Sequence, residues 1–178
     1  MDFLTTNDYI EANNAQLELI QNKCVKNRMK NECKLLYTKY HNVLIEGVPD
    51  KLSIEIVEIM NTKKRTYKFT IPSNFPFHPP KIYINGYTYS DILQMRGEFE
   101  KEVVKKWRKK DCLCCYSYNC SVNWSPSAKF HNIIDEINAI LKFKRDAINL
   151  LLSEKIKIQY NIPYAYFEDY LASEPAPN

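Results

Sequence analysis

The sequence predicts an α+β domain, in which an antiparallel meander of about four strands is flanked by an N-terminal helix and C-terminal helices. Near both ends of the chain, apolar residues recur at three- and four-residue spacing, which is the periodicity of helices that bury one face. Between these regions, short runs of alternating apolar and polar residues are separated by short turns, which is typical of an antiparallel sheet. A chain of 178 residues is long enough for one ordinary domain with a hydrophobic core.

The first half of the chain predicts helix followed by strands. The helical pattern extends from about residue 7 to residue 40 and corresponds to one long helix or to two in series. Three strand-like runs follow at residues 42–46, 52–59 and 66–71, and a fourth lies at residues 81–84 after a loop with four prolines. Because proline can neither continue a helix nor donate to a strand ladder, this loop is predicted to be irregular but ordered.

After the fourth strand the pattern changes to helix. The Asn-Gly pair at residues 85–86 predicts a tight turn at which the sheet ends. A surface helix is expected to begin near Ser90 or Gly97. Apolar residues over the range 130–156 then trace one helical face. Because this pattern is longer than a usual helix of about 8–20 residues, we expect a break near residues 143–146.

Composition and charge disfavour several classes of protein. No stretch reaches the about 18 apolar residues of a membrane span, and the start of the chain carries acids where a secretory signal needs basic and apolar residues. We therefore expect a cytoplasmic or nuclear protein with no membrane partner. The net charge of +4 is too small to favour a nucleic acid partner. Without an export signal, the six cysteines are expected to be reduced, metal-bound or catalytic.

Two motifs carry a resemblance to a known family. Residues 75–82, Phe-Pro-Phe-His-Pro-Pro-Lys-Ile, are similar to a Tyr-Pro-Phe-x-Pro-Pro-Lys-Val segment. Residues 124–126, Trp-Ser-Pro, directly precede an apolar helix and are similar to a Trp-Ser-Pro segment that follows an active-site cysteine. With the order of the elements, these motifs resemble the core of the ubiquitin-conjugating enzymes, the UBC family, over about residues 28–152. The resemblance implies the UBC-like fold.

The resemblance also implies a domain organisation and an activity. Residues 28–160 would form the UBC-like core, residues 1–27 an N-terminal helical extension, and residues 161–178 a C-terminal tail. The family accepts ubiquitin or a ubiquitin-like modifier from an activating enzyme as a cysteine thioester and transfers it to a lysine amine. The implied partners are therefore the modifier, the activating enzyme and a ubiquitin ligase, and no cofactor is implied.

Four of the six cysteines lie within nine residues, where the resemblance implies the nucleophile. In the family the nucleophile usually lies eight residues before the tryptophan, a position that is not a cysteine here, so a longer loop is required. We favour Cys112, because a leucine follows it as in the family, with Cys114 and Cys115 as alternatives. A structural zinc site formed by Cys112, Cys114, Cys115 and Cys120 is less favoured, because the adjacent Cys114 and Cys115 would both have to reach one tetrahedral ion.

The chain departs from the family at the His-Pro-Asn tripeptide, whose asparagine supports the oxyanion. The corresponding position is Val104, Lys106 or Trp107, depending on which cysteine is the nucleophile. Loss of one oxyanion donor costs about 10²–10³ in rate. Asn119 or Asn123 is a candidate replacement. The alternative is a catalytically inactive variant that acts as a ubiquitin- or ligase-binding module, with a structural cysteine cluster.

The resemblance further implies a ligase-binding surface. Phe77, Pro126 and Ser127 match positions in two neighbouring loops that contact the ligase in the family. An exposed aromatic side chain beside rigid prolines forms a contact patch with little ordering cost. The other interpretation is that these residues brace the sheet against the last helix. Trp124 is expected to lie in the core rather than in a site, because an indole buries a large apolar area.

Overall fold

The structure is a computed structural model that describes residues 6–40, 42–47, 52–60, 63–94, 97–98, 101–102, 104–105, 113–114, 117–120 and 122–161. Within these ranges it contains an antiparallel five-stranded sheet with helices before and after it, so the predicted α+β class is confirmed. The chain divides into two units, residues 1–94 with 112–137 and residues 95–111 with 138–178.

Two helices in series precede the sheet, α1 (Thr6–Glu18) and α2 (Lys23–Tyr37). The second helix begins after Asn22, whose side-chain oxygen accepts hydrogen bonds from the backbone N–H groups of Cys24 at 3.0 Å and Val25 at 3.2 Å. Such an N-cap satisfies donors that have no partner within the helix. Of the two arrangements that the sequence allowed for this region, two helices in series is the one observed.

The sheet contains β1 (Asn42–Glu46), β2 (Ser53–Met60), β3 (Lys63–Thr70), β4 (Lys81–Ile84) and β5 (Tyr87–Thr88), which lie side by side in chain order. All neighbouring strands are antiparallel. β3 begins before the predicted residue 66, because it pairs with β2 as far as Met60 opposite Lys63.

The prediction that the sheet ends at the Asn85-Gly86 turn is wrong. Both turn residues have positive φ, 49° and 85°, which is the conformation of a tight hairpin turn. The turn returns the chain as β5, where Tyr87 lies opposite Ile84. A strand of two residues is too short to show any alternation, which is why the pattern missed it.

Among the described residues, the region expected to be helical from near Ser90 or Gly97 contains two helical stretches. The first is α3 (Tyr89–Leu93), which begins after Thr88, whose hydroxyl accepts a hydrogen bond from the backbone N–H of Asp91 at 3.2 Å. Residues 98, 101–102 and 104–105 are helical as well, and the Lys101 N–H donates to the carbonyl of Gly97 at 3.1 Å.

The last helix, α4 (Phe130–Tyr160), continues without interruption for 31 residues, so the predicted break near residues 143–146 is wrong. The helix contains no proline or glycine that would interrupt its hydrogen bonds. Phe143 packs against the buried pair Ala147 and Leu151, so the apolar face continues through the expected break. Despite this length, neither α4 nor any other helix in the described ranges is apolar enough to cross a membrane.

The core of the first unit lies on one face of the sheet. Phe69 of β3 stacks on Phe130 at the start of α4, with ring centroids 4.8 Å apart. The largest fully buried side chains come from α1, α2, the strands, α3 and α4: Leu17, Met29, Leu36, Ile45, Ile54, Ile56, Tyr67, Phe69, Tyr89, Phe130, Ile133 and Ile134. The first turns of α4 are therefore fixed by aromatic and aliphatic packing.

Candidate functional site

The proline-rich loop and the Trp-Ser-Pro segment meet in the structure. The indole Nε1 of Trp124 donates a hydrogen bond to the carbonyl oxygen of Pro76 at 2.8 Å. Phe75 is buried beneath this contact, with its ring centroid 6.4 Å from that of Trp124 and 5.8 Å from that of Phe130. The Phe75-Pro76 peptide bond is cis. Trp124 is partly buried rather than fully in the core, and it joins the two loops.

A buried carboxylate holds the start of α4 against α2. Glu32 is 0% exposed, and its Oε2 accepts a hydrogen bond from the backbone N–H of Phe130 at 2.9 Å. Its Oε1 lies 2.9 Å from Nη2 of Arg28, which also donates to the carbonyl of Ala128. A carboxylate at a helix N-terminus satisfies a free N–H group and interacts favourably with the helix dipole. Glu32 and Arg28 thus fix the loop that follows Trp124.

The predicted ligase-binding residues are exposed on these two fixed loops. Phe77 is 75% exposed, and Pro126 and Ser127 are exposed as well. The backbone around Phe77 is ordered by its N–H bond to the carbonyl of Asn74 at 3.0 Å. The hydroxyl oxygens of Ser125 and Ser127 lie 2.7 Å apart. We call Phe77, Pro126 and Ser127 the two-loop surface; its role in ligase binding stays a prediction.

The cysteine segment, residues 112–120, leads directly into the Trp-Ser-Pro motif. Cys114 is exposed, and its carbonyl accepts the Ser117 N–H at 3.0 Å. Cys120 is partly buried, and its carbonyl accepts the Trp124 N–H at 2.8 Å. Cys112, the favoured nucleophile, and Cys115 lie outside the described residues. Of the three candidate nucleophiles, the structure therefore locates Cys114, as an exposed side chain on this segment.

A partly buried polar network supports the cysteine segment from α4 and α3. The Glu136 carboxylate accepts the Tyr118 N–H at 2.8 Å and the Tyr89 hydroxyl at 2.6 Å. Burial and the bond to Glu136 raise the pKa of Tyr89, so the phenol stays protonated. Ser117 is buried, and its hydroxyl oxygen accepts the Asn119 N–H at 3.0 Å. Sequence reasoning missed this network, because no local pattern connects Glu136 with Tyr118 and Tyr89.

Comparisons with models of known protein families, with curated proteins and with solved structures found no match. The resemblance to the UBC family therefore depends on the two motifs and the order of the elements. The contact between Trp124 and Pro76 gives the two motifs a shared location, because it joins residues that are 48 positions apart in sequence.

The positions that correspond to the family asparagine offer no amide side chain. Val104 is buried, and Lys106 and Trp107 lie outside the described residues. Of the two candidate replacements, Asn119 belongs to the cysteine segment, and its side-chain Oδ1 is buried without a hydrogen-bond partner among the described residues. The Asn123 N–H donates to the carbonyl of Cys120 at 2.9 Å, in the turn before the Trp-Ser-Pro motif.

The less favoured zinc site is only partly located. In the described part of the chain, no three His, Cys, Asp or Glu side chains are grouped as metal ligands would be. Of the four cysteines proposed as ligands, Cys114 and Cys120 are described, whereas Cys112 and Cys115 lie outside the described residues. A zinc site that uses all four cysteines stays a prediction.

Proposed function

We propose that this protein has the UBC-like fold and acts as a ubiquitin-conjugating-enzyme-like protein. It would accept ubiquitin or a ubiquitin-like modifier as a thioester on Cys112, Cys114 or Cys115 and transfer it to a lysine amine. The observation that carries the proposal is the 2.8 Å hydrogen bond between Trp124 and Pro76, because it unites the two family motifs next to the cysteine segment. The order of helix, strands in a meander, proline-rich loop, strand, cysteine segment and long helix also supports it.

The proposed chemistry has two acyl transfers. A cysteine thiolate attacks the thioester carbonyl that links the modifier to the activating enzyme; a new carbon–sulfur bond forms, and the activating enzyme's thiolate leaves. A lysine amine then attacks the new thioester, an amide bond forms, the cysteine thiolate is released, and the amine loses a proton to solvent. Both steps pass through an oxyanion that hydrogen-bond donors stabilise. Asn119 is our favoured donor, because it is part of the cysteine segment.

A second candidate function is a catalytically inactive variant that binds ubiquitin or a ligase. The observation that favours it is the two-loop surface. Phe77 is 75% exposed there, on a loop that the hydrogen bond from Trp124 to Pro76 holds in place. A rigid, exposed aromatic side chain is a common anchor of protein interfaces. The departure from the family asparagine agrees with a loss of catalysis. The two candidates share the fold and the binding surface and differ in whether a thioester forms.

The deciding experiment is a thioester assay. The purified protein is incubated with activating enzyme, ubiquitin and ATP, and the products are separated on a non-reducing gel, with parallel reactions for Cys112→Ala, Cys114→Ala and Cys115→Ala. An adduct heavier by one ubiquitin that a thiol reductant removes is expected, and one of these substitutions should abolish it. Cys24→Ala, which changes an exposed cysteine on α2, is the matched control and should leave the adduct unchanged. If no adduct forms with ubiquitin or with other modifiers and their activating enzymes, conjugation is refuted.

The binding candidate is tested separately with a ligase domain that contacts conjugating enzymes. Phe77→Ala should weaken binding about 10- to 30-fold if Phe77 is an anchor of the interface. Tyr87→Ala is the control, because Tyr87 is an exposed aromatic residue on β5, 67% exposed and outside the two-loop surface. Affinities are measured by calorimetry. If both variants bind the ligase domain as tightly as the unchanged protein does, the two-loop surface is not the ligase site.

A further inference from the structure

We propose that Glu136 is a positioning residue that fixes the backbone of the cysteine segment for acyl transfer, an inference that rests on the proposed function. The two carboxylate oxygens of Glu136 accept hydrogen bonds from two different segments of the chain. One oxygen accepts the Tyr118 N–H at 2.8 Å, and the other accepts the Tyr89 hydroxyl at 2.6 Å. The first bond holds the cysteine segment directly, and the second connects it to α3.

The network is buried at its Tyr89 end and reaches the surface at Tyr118, which is 47% exposed. Tyr89 is 1% exposed, and the side chain of Ser117 is fully buried. The cysteine segment is held at Tyr118 by Glu136, and the hydroxyl oxygen of the neighbouring Ser117 accepts the Asn119 N–H at 3.0 Å. Hydrogen bonds to an ionised carboxylate are stronger than neutral ones, and the burial of Tyr89 strengthens its bond to Glu136 further. These two positions lie a few residues beyond Cys114, so they restrain the backbone that carries it.

The carboxylate is itself held in place by the core. Glu136 lies in α4 beside Ile133, Ile134 and Ile137, which are all fully buried. Because these residues prevent rotation of the helix, the position of the carboxylate is set by rigid packing rather than by a loop. Reacting groups must be placed accurately, since a displacement of about 1 Å can cost about 10²-fold in rate. A helix-borne carboxylate is well suited to supply that accuracy to an irregular segment.

The neighbouring carboxylate provides a matched control. Asp135 precedes Glu136 on the same helix, but it is exposed and pairs with Lys39, which follows α2. Asp135→Asn removes one negative charge from the same turn of α4 without touching the cysteine segment. A general effect of charge would therefore appear in both variants, whereas a positioning effect is specific to Glu136.

Two substitutions separate position from charge. Glu136→Leu removes both hydrogen bonds. We expect the single-turnover rate of thioester formation to fall at least about 10-fold, while the KM for the modifier-loaded activating enzyme stays unchanged. Glu136→Gln removes the charge but keeps an oxygen for Tyr118 and an amide that donates to the oxygen of Tyr89. It should retain the rate within about threefold. If Glu136→Gln loses as much activity as Glu136→Leu, the charge is required and the positioning inference is wrong.

Amide hydrogen exchange measured by NMR tests the inference without any activity. In Glu136→Leu the amide of Tyr118 should exchange about 10- to 100-fold faster, while the amide of Phe130, which Glu32 holds, should be unchanged. Asp135→Asn should change neither amide. Equal exchange of Tyr118 in Glu136→Leu and the unchanged protein, or faster exchange at Phe130 as well, would overturn the inference. If the unchanged protein forms no thioester, the proposed function fails, and the exchange of Tyr118 alone still decides whether Glu136 fixes the segment.

Discussion

Asn13 closes the free edge of the sheet, and its removal should be costly. The strand β1 lies at the edge of the sheet, so the backbone groups on its outer side have no partner strand within the described residues. Asn13 of α1 is 0% exposed, and its Oδ1 accepts the Ile45 N–H at 2.7 Å while its Nδ2 donates to the Val43 carbonyl at 2.6 Å. One amide side chain thus pairs with the edge as a neighbouring strand would.

The magnitude follows from the groups that Asn13→Ala leaves without a partner. The N–H of Ile45 and the carbonyl of Val43 are both buried, and each unsatisfied buried group costs about 1–3 kcal/mol. The expected loss in the free energy of unfolding is therefore about 2–6 kcal/mol. Because a domain of this kind is stable by about 5–15 kcal/mol, the loss is a large fraction of the total. Water that reaches the edge would bring the value towards the lower bound.

Urea unfolding followed by circular dichroism measures this loss. The midpoint should fall strongly in Asn13→Ala, with little change in the slope. Asn14→Ala is the matched control, because Asn14 is the adjacent exposed asparagine of α1, and its substitution should change stability by no more than about 0.5 kcal/mol. If Asn13→Ala costs less than about 1 kcal/mol, or as little as Asn14→Ala, then α1 does not close the sheet edge.

Three further predictions concern stability. Glu32→Ala should destabilise the protein by about 3–5 kcal/mol in urea unfolding, because it leaves Arg28 as an uncompensated charge. A loss below about 1 kcal/mol would contradict a stabilising ion pair between these two residues. Trp124→Phe removes the donor to Pro76 and should cost about 1–3 kcal/mol in the same assay, whereas an unchanged midpoint would show that the two loops do not depend on this bond. Burial, with the nearby Glu32 charge, raises the pKa of the Cys33 thiol from 9.0 to about 12. The thiol therefore loses its proton at a lower pH in the unfolded state than in the folded state. The free energy of unfolding should fall as the pH rises from 9 to about 12. Unfolding curves across that range should show a smaller fall in Cys33→Ala than in the unchanged protein.

The sequence predicted the elements whose pattern extends over several turns or several alternations. The two N-terminal helices, the first four strands and the last helix all have such patterns. The sequence analysis missed β5, because a strand of two residues is too short to show an alternating pattern. It also predicted a break in α4 from the length of the helix alone, although no proline or glycine there interrupts the helix. Pattern length therefore determined which elements were predictable, and helix length by itself was a poor guide to a break.

The polar residues that organise the first unit were hidden from sequence reasoning for a different reason. Asn13, Glu32 and Glu136 each satisfy backbone groups of distant segments, so their roles depend on contacts that no local pattern contains. On a helix such residues look like ordinary surface residues until their neighbours are known. The Trp-Ser-Pro and proline-rich motifs could be recognised, but the bond between Trp124 and Pro76 that joins them could not.

The first two turns of α4 hold both parts of the candidate site. Glu32 binds the Phe130 N–H at the start of the helix and thereby fixes the loop that carries Pro126 and Ser127. Glu136, less than two turns further on, binds the cysteine segment through the Tyr118 N–H. A change that reorients the start of α4 should therefore impair the proposed modifier transfer and the proposed ligase binding together. Phe77 belongs to the two-loop surface alone, and of the two parts of the site Glu136 contacts the cysteine segment alone. If the protein has both functions, Phe77→Ala should therefore weaken ligase binding and Glu136→Leu should slow modifier transfer.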